Sequence, residues 1–176
     1  MKALHQAVFA SILAFSSAFA TAAERQDISP AQSGASVQMN SQQELTSLFM
    51  AAAKTGNQDV LHEFLKNGFP VDARNAQGYT ALMMAAYYGQ SESVSTLLGY
   101  GADRCLRDDK GNTALMGALF KMEFSIAKQL RKVDCDANAK APGQKTAAEF
   151  AQVIGQEKQL LQIIEAVEKN PSEAAK

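Results

Sequence analysis

Small, apolar and polar positions along this chain follow a two-helix rhythm that is clearest between Gly78 and Arg107. After Gly78-Tyr79-Thr80 comes the apolar run Ala81-Leu82-Met83-Met84-Ala85-Ala86, which Gly89 ends. A second apolar stretch closes on Leu97-Leu98, and Gly101-Ala102-Asp103 opens a loop. The pattern predicts a short helix, a turn, a second helix and a projecting hairpin. It returns at a fixed interval: Gly111-Asn112-Thr113 answers Gly78-Tyr79-Thr80, and Thr146 follows Thr113 by the same distance. A fixed period of about 33 residues marks stacked supersecondary units, none of which can bury its apolar face alone.

Four frames of this length fit: residues 42–74, 75–107, 108–140 and 141–167. The predicted fold is all-α, a stack of about four helix–turn–helix repeats with short hairpin loops. In the first frame Leu48, Ala52 and Ala53 are expected to face inward, with Leu61, Phe64 and Leu65 packing the second helix. Ala85 and Ala86 let neighbouring helices approach, where larger side chains would overpack. Gly89 and Gly101 fall just past helix ends, in the left-handed position that costs Gly least. Thr80 and Thr113 are placed to cap the first helix of their repeats. The third frame departs from the rhythm: Met122 stands where Gly is expected, and Asp134-Cys135-Asp136 replaces Gly-Ala-Asp. The fourth keeps Thr146, Ala147, Ala151, Gly155 and Ile163-Ile164. Its charged Glu149, Glu157, Lys158 and Glu165 give it the wetter surface an end repeat needs. Residues 168–176 read as a flexible tail.

Thr80-Ala81-Leu82, Ala85-Ala86, Gly89, Leu97-Leu98 and Gly101-Ala102-Asp103 together resemble the ankyrin repeat, as does Val71-Asp72-Ala73-Arg74 in the first frame. The resemblance covers roughly 130 residues and is strongest in the second repeat. It implies a binding surface with no catalytic residues and no cofactor, whose partner is another protein. Met83 and Met116 stand where the family has a His that bonds the loop backbone. The chain is also similar to small exported bacterial ankyrin proteins, some encoded beside a catalase. That likeness rests on architecture.

Residues 1–23 break the rhythm. Met1, Lys2 and His5 form a short positive segment, Ala7 to Ala20 is apolar, and Ala18-Phe19-Ala20 or Ala20-Thr21-Ala22 supplies a small-x-small site. This layout predicts a cleaved signal peptide, and no Cys follows it to carry a lipid. The other reading is an amphipathic or buried first helix, which the lack of a recurring polar face and of any acid before Glu24 disfavours. Residues 24–41 are polar, Ser/Gln-rich and aperiodic, and are expected to be a disordered leader. Cleavage would remove one of 17 Lys/Arg and none of 18 Asp/Glu, leaving a net charge of −2. A near-neutral chain is a poor match for nucleic acid or an anionic membrane. The expected state is a periplasmic monomer with no membrane insertion after cleavage.

Only His5 and His62 are present, so histidine-based metal or acid/base chemistry is nearly excluded. Neither a phosphate-binding Gly-rich loop nor a G-x-S-x-G turn occurs. The chemistry that remains is recognition. All four tyrosines, Tyr79, Tyr87, Tyr88 and Tyr100, fall in the second repeat, at positions that vary in the family and point outward. Tyr offers large contact area at low rotamer cost. A groove centred on Tyr87, Tyr88 and Phe120, with a cationic edge at Lys54 and Lys121, follows from the register. Gln77 and Lys110 extend the surface to the hairpin tips. The competing reading is that Tyr87 and Tyr88 pad the repeat stack.

Cys105 and Cys135 lie in consecutive loops. An exported context permits a disulfide, but stacked repeats sit about 10 Å apart. The cysteines fall slightly short of a full period apart, and that offset must close the gap. Two unpaired thiols are the other reading; a metal site lacks further ligands. With Met83, Met84 and Met116, the cysteines support an alternative role: a redox-active protein, or an accessory to oxidative-stress defence such as support of a periplasmic catalase.

Overall fold

The structure is a computed structural model that describes residues 30–133, 135 and 143–169. The proposed signal peptide therefore lies outside the described residues. The chain forms two units, residues 1–36 and 37–176. Of the first, the described part is the opening of helix α1.

Eight helices and no strand occur among the described residues: α1 (Pro30–Thr55), α2 (Gln58–Lys66), α3 (Ala81–Tyr87), α4 (Ser91–Gly99), α5 (Ala114–Phe120), α6 (Phe124–Leu130), α7 (Ala147–Val153) and α8 (Glu157–Lys169). They form four helical pairs. Helix α3 packs on α4 and on α5, α5 on α6 and α7, and α6 on α8. First helices thus line one side of the stack and second helices the other.

Local chemistry sets the boundaries. Thr80, Thr113 and Thr146 each accept a bond from the backbone N–H three residues on, at 3.3, 3.4 and 3.1 Å. Thr146 closes a full capping box, because the Glu149 carboxylate accepts the Thr146 N–H at 2.8 Å. Gly89 and Gly101 take φ of +73° and +87° past the ends of α3 and α4. In the third repeat the same turn forms without glycine, and Met122 itself adopts φ +60°. Its N–H bonds Leu119 O at 3.0 Å, and Glu123 N bonds Ala118 O at 2.9 Å. The turn survives because these bonds satisfy carbonyls at the end of α5 whatever the side chain.

The hairpins also repeat. The Asn75 side-chain oxygen accepts from Gln77 N and Tyr79 N, both at 3.0 Å. Asp108, one period on, accepts from Lys110 N at 2.9 Å and Asn112 N at 2.8 Å. Both are side-chain-closed turns. Neighbouring hairpins touch edge to edge: Asp109 N donates to Gln77 O at 3.2 Å, and the Arg107 guanidinium donates to Gly111 O and Lys145 O. Gly78 is forced by this contact. Its φ is +75°, and a Cβ there would stand 2.9 Å from Asp109 N.

The core is one continuous band. Leu82, Ala85 and Ala86 of α3 are sealed, as are Val94 and Leu97 of α4, Leu119 of α5, and Ile126 and Leu130 of α6. Side-chain amides tie the outer helices: Gln58 donates to Ser93 at 2.8 Å and accepts from Thr96 at 2.9 Å. Gln129 repeats the arrangement one pair further on, with Ser95 and Ser91.

Two expectations change at the first repeat. Leu48 is 53% exposed, and Phe49 is buried in its place, packed on Phe64 and Phe69 with centroids 5.5 and 5.0 Å away. Phe49, Ala52 and Ala53 share the i, i+3, i+4 face of α1, and Leu48 lies off its edge. Residues 30–41, expected as a disordered leader, are helical in the structure. Pro30 stands at the first helical position, where its missing N–H costs nothing. At the other end, Glu168 and Lys169 belong to α8, and Lys169 pairs with Glu165.

Candidate protein-binding groove

The inner side of the stack holds a groove of about 630 Å³, floored by first helices and closed at one end by hairpins. Its apolar lining comes from Met83, Met84, Tyr87, Tyr88, Met116, Phe120, Phe150 and Ile154. Its polar end is Asn75, Gln77, Asp108, Lys110 and Asn112.

The aromatic centre is a contiguous cluster. Tyr87 is the last residue of α3, and Tyr88 caps it. Their rings meet edge-on at 5.2 Å. Phe120, one period after Tyr87, ends α5, and its ring lies nearly parallel to that of Tyr87 at 6.3 Å. All three stay substantially exposed, at 37%, 43% and 54%. Two cations sit on the cluster: Lys54 Nζ is 4.7 Å from the Tyr88 centroid, and Lys121 Nζ is 5.3 Å from that of Tyr87. Each ammonium remains solvated while resting on an electron-rich face.

The other residues named from the sequence divide. Gln77 and Lys110 line the polar end. Tyr79 also lines the groove but is half-buried against the core rather than projecting. Tyr100 is not brought to the groove. It caps α4 on the outer side, exposed, with its ring 6.1 Å from that of His62. It follows a second helix rather than a first, and second helices form the opposite layer.

The lining has further members that the sequence reading did not place there. Met84, Gly117 and Phe150 occupy one column of the repeat and meet in the groove wall. Ile154, in the column of Tyr88 and Lys121, extends the lining into the fourth repeat. Reading that column onward by the period would have found it.

Cys105 and Cys135 are bonded in the structure, with Cα atoms 5.0 Å apart. The gap closes because adjacent loops are offset by less than the repeat length on this side. Asp72 accepts from Asp103 N at 3.1 Å across a separation of 31 residues, and the cysteines use nearly the same offset. No cluster of three metal-ligating side chains occurs among the described residues. None of the described helices is long and apolar enough to cross a membrane.

A family model described as ankyrin repeats (3 copies) matches residues 19–108 and 48–141. An ankyrin repeat-containing protein of Treponema pallidum is 32% identical over 105 residues, 58% of this chain and 35% of that protein. The potassium channel AKT2/3 of Arabidopsis thaliana is 34% identical over 86 residues, 49% of this chain and 11% of the channel. Protein HOS4 of Saccharomyces cerevisiae is 43% identical over 68 residues, 38% of this chain and 6% of that protein. The chain thus spans about a third of the Treponema protein and far less of the others.

Proposed function

Because the chain belongs to the ankyrin-repeat family, whose repeats generally bind other proteins, we propose that it is a non-enzymatic interaction module that holds a partner protein in its inner groove and along its hairpin face. The observation that carries this reading is the exposed Tyr87–Tyr88–Phe120 cluster with Lys54 and Lys121 seated on its rings. Aromatics held half-open beside an apolar floor are the usual anchors of interface hot spots. The test is capture of partners from extract by wild type and by the Tyr87→Ala/Tyr88→Ala/Phe120→Ala variant. Circular dichroism checks the fold of both. Lost capture with a retained fold supports the groove. Retained capture moves the interface to the hairpin tips, and loss of both makes the rings structural.

The proposed site of action is the periplasm. The layout of residues 1–23 supports it, as does the Cys105–Cys135 bond, since disulfides persist in oxidising compartments. Mass spectrometry of a periplasmic fraction is expected to find a chain starting between Thr21 and Glu24. A cytoplasmic chain retaining Met1 would contradict export.

The bonded cysteines also favour a second reading, a redox-responsive accessory in oxidative-stress defence. Under it, thiol titration after mild reductant would recover two thiols together with a change in partner capture. Under the first reading, capture is indifferent to reductant. Met83 and Met116 fit core filling better than oxidant scavenging, at 6% and 1% exposure.

A further inference from the structure

Three ammonium groups stand exposed at the groove and its rim, while the nearby carboxylates of Asp109 and Glu123 lie against Gly78 and Gly89. Among its lining residues the charged ones are Asp108 and Lys110. Asp108 is buried, and its carboxylate is occupied by bonds from Lys110 N, Asn112 N and the Asn112 amide. Lys110 is exposed, and the two cations resting on the aromatic cluster, Lys54 and Lys121, are exposed as well. An occupant of this groove therefore meets ammonium groups beside an apolar floor, and the lining carboxylate is already engaged.

The floor also has a gap at Gly117. In the column Met84, Gly117, Phe150, the middle residue has no side chain. A Cβ on Gly117 would find only Tyr87 atoms nearby, at 3.8 and 3.9 Å. Gly117 does not have the positive φ that would demand glycine, and it sits inside α5, where glycine weakens a helix. Its backbone therefore supplies no reason for its presence. What it leaves is a notch walled by large apolar residues.

From these two observations, and resting on the groove-binding reading above, we propose that the partner enters the groove as an acidic peptide segment carrying one bulky apolar side chain. That side chain fills the notch at Gly117, and its neighbouring carboxylates face Lys54, Lys110 and Lys121. Complementary charge selects the segment and speeds its arrival, while the notch supplies the hold.

The test is selection of short random peptides from a display library against the full chain, followed by fluorescence anisotropy on the enriched sequences. Enriched peptides are expected to carry Asp or Glu around a Phe, Leu, Ile or Trp. Replacing that anchor by Ala, or introducing Gly117→Leu, is expected to weaken binding by about tenfold or more. Lys54→Glu/Lys121→Glu is expected to remove the acidic preference and flatten the salt dependence. Melting of the Gly117→Leu protein separates a filled notch from a lost fold. If Gly117→Leu unfolds, Gly117→Ala, which narrows the notch, serves the same comparison. Enrichment of basic or neutral peptides, or equal binding by a folded position-117 variant, overturns the proposal and leaves groove binding standing. A fluorescent fatty acid that occupies the groove while no peptide is enriched overturns it in favour of a lipid ligand. Should the aromatic triple variant still capture its partner, the groove reading itself fails.

Discussion

The Tyr87 side chain lies against the open flank of Gly117: a Cβ on residue 117 would stand 3.8 Å from Tyr87 Cβ and 3.9 Å from its Cδ2. Those are ordinary van der Waals separations, so the space is unfilled rather than forbidden. Gly117→Ala is accordingly expected to stabilise the protein by about 0.5–1 kcal/mol, the difference between Ala and Gly inside a helix. Denaturant melts of wild type and variant check the sign. Destabilisation would mean that Tyr87 packs closer to α5 than described.

Met122 gives the converse case. It holds φ +60° at 62% exposure, so it accepts left-handed strain with little packing in return. That conformation costs an L-residue about 1–2 kcal/mol. Part of the gain on Met122→Gly is offset by the greater freedom of Gly in the unfolded chain, which leaves a net stabilisation of about 0.5–1 kcal/mol. It is read as a higher urea midpoint with an unchanged slope.

Leu82 is 1% exposed, at the centre of the continuous core. Leu82→Ala is expected to cost about 2–5 kcal/mol, through lost burial and the cavity left behind. Because neighbouring repeats stabilise one another, the loss should lower the whole melting transition. A melt that matches wild type would refute the helix register.

The Cys105–Cys135 bond closes a segment of 30 residues spanning the groove-forming helix α5. The chain-entropy relation puts its stabilisation at about 3.5 kcal/mol. Cys105→Ser is expected to lose most of that. Reductant should lower the wild-type midpoint by the same amount and leave the variant unmoved. If wild type is insensitive to reductant, the bond does not bear on stability.

The groove is legible in the sequence where its residues follow the period. Tyr87 and Phe120 share a column, and Lys54 belongs to the same one, so their convergence follows from the repeat register. Tyr100 falls outside it because adjacency in sequence to Gly101 says nothing about which helical layer a residue caps. Leu48 and Phe49 exchange roles because neighbouring apolar residues differ by about 100° on a helix, and the partner helix chooses between them.

What the sequence determined by itself is local: the repeat period, the threonine caps, the glycine turns and the side-chain-closed hairpins. Each depends on backbone geometry within a few residues. What only the tertiary structure decided is how far adjacent repeats slip past one another. That slip brings the Cα atoms of Cys105 and Cys135 to 5.0 Å, where an unslipped register would have kept them apart. Inter-repeat offset is set by the volumes of all the side chains packed between helices. No single position carries it, so no local pattern announces it.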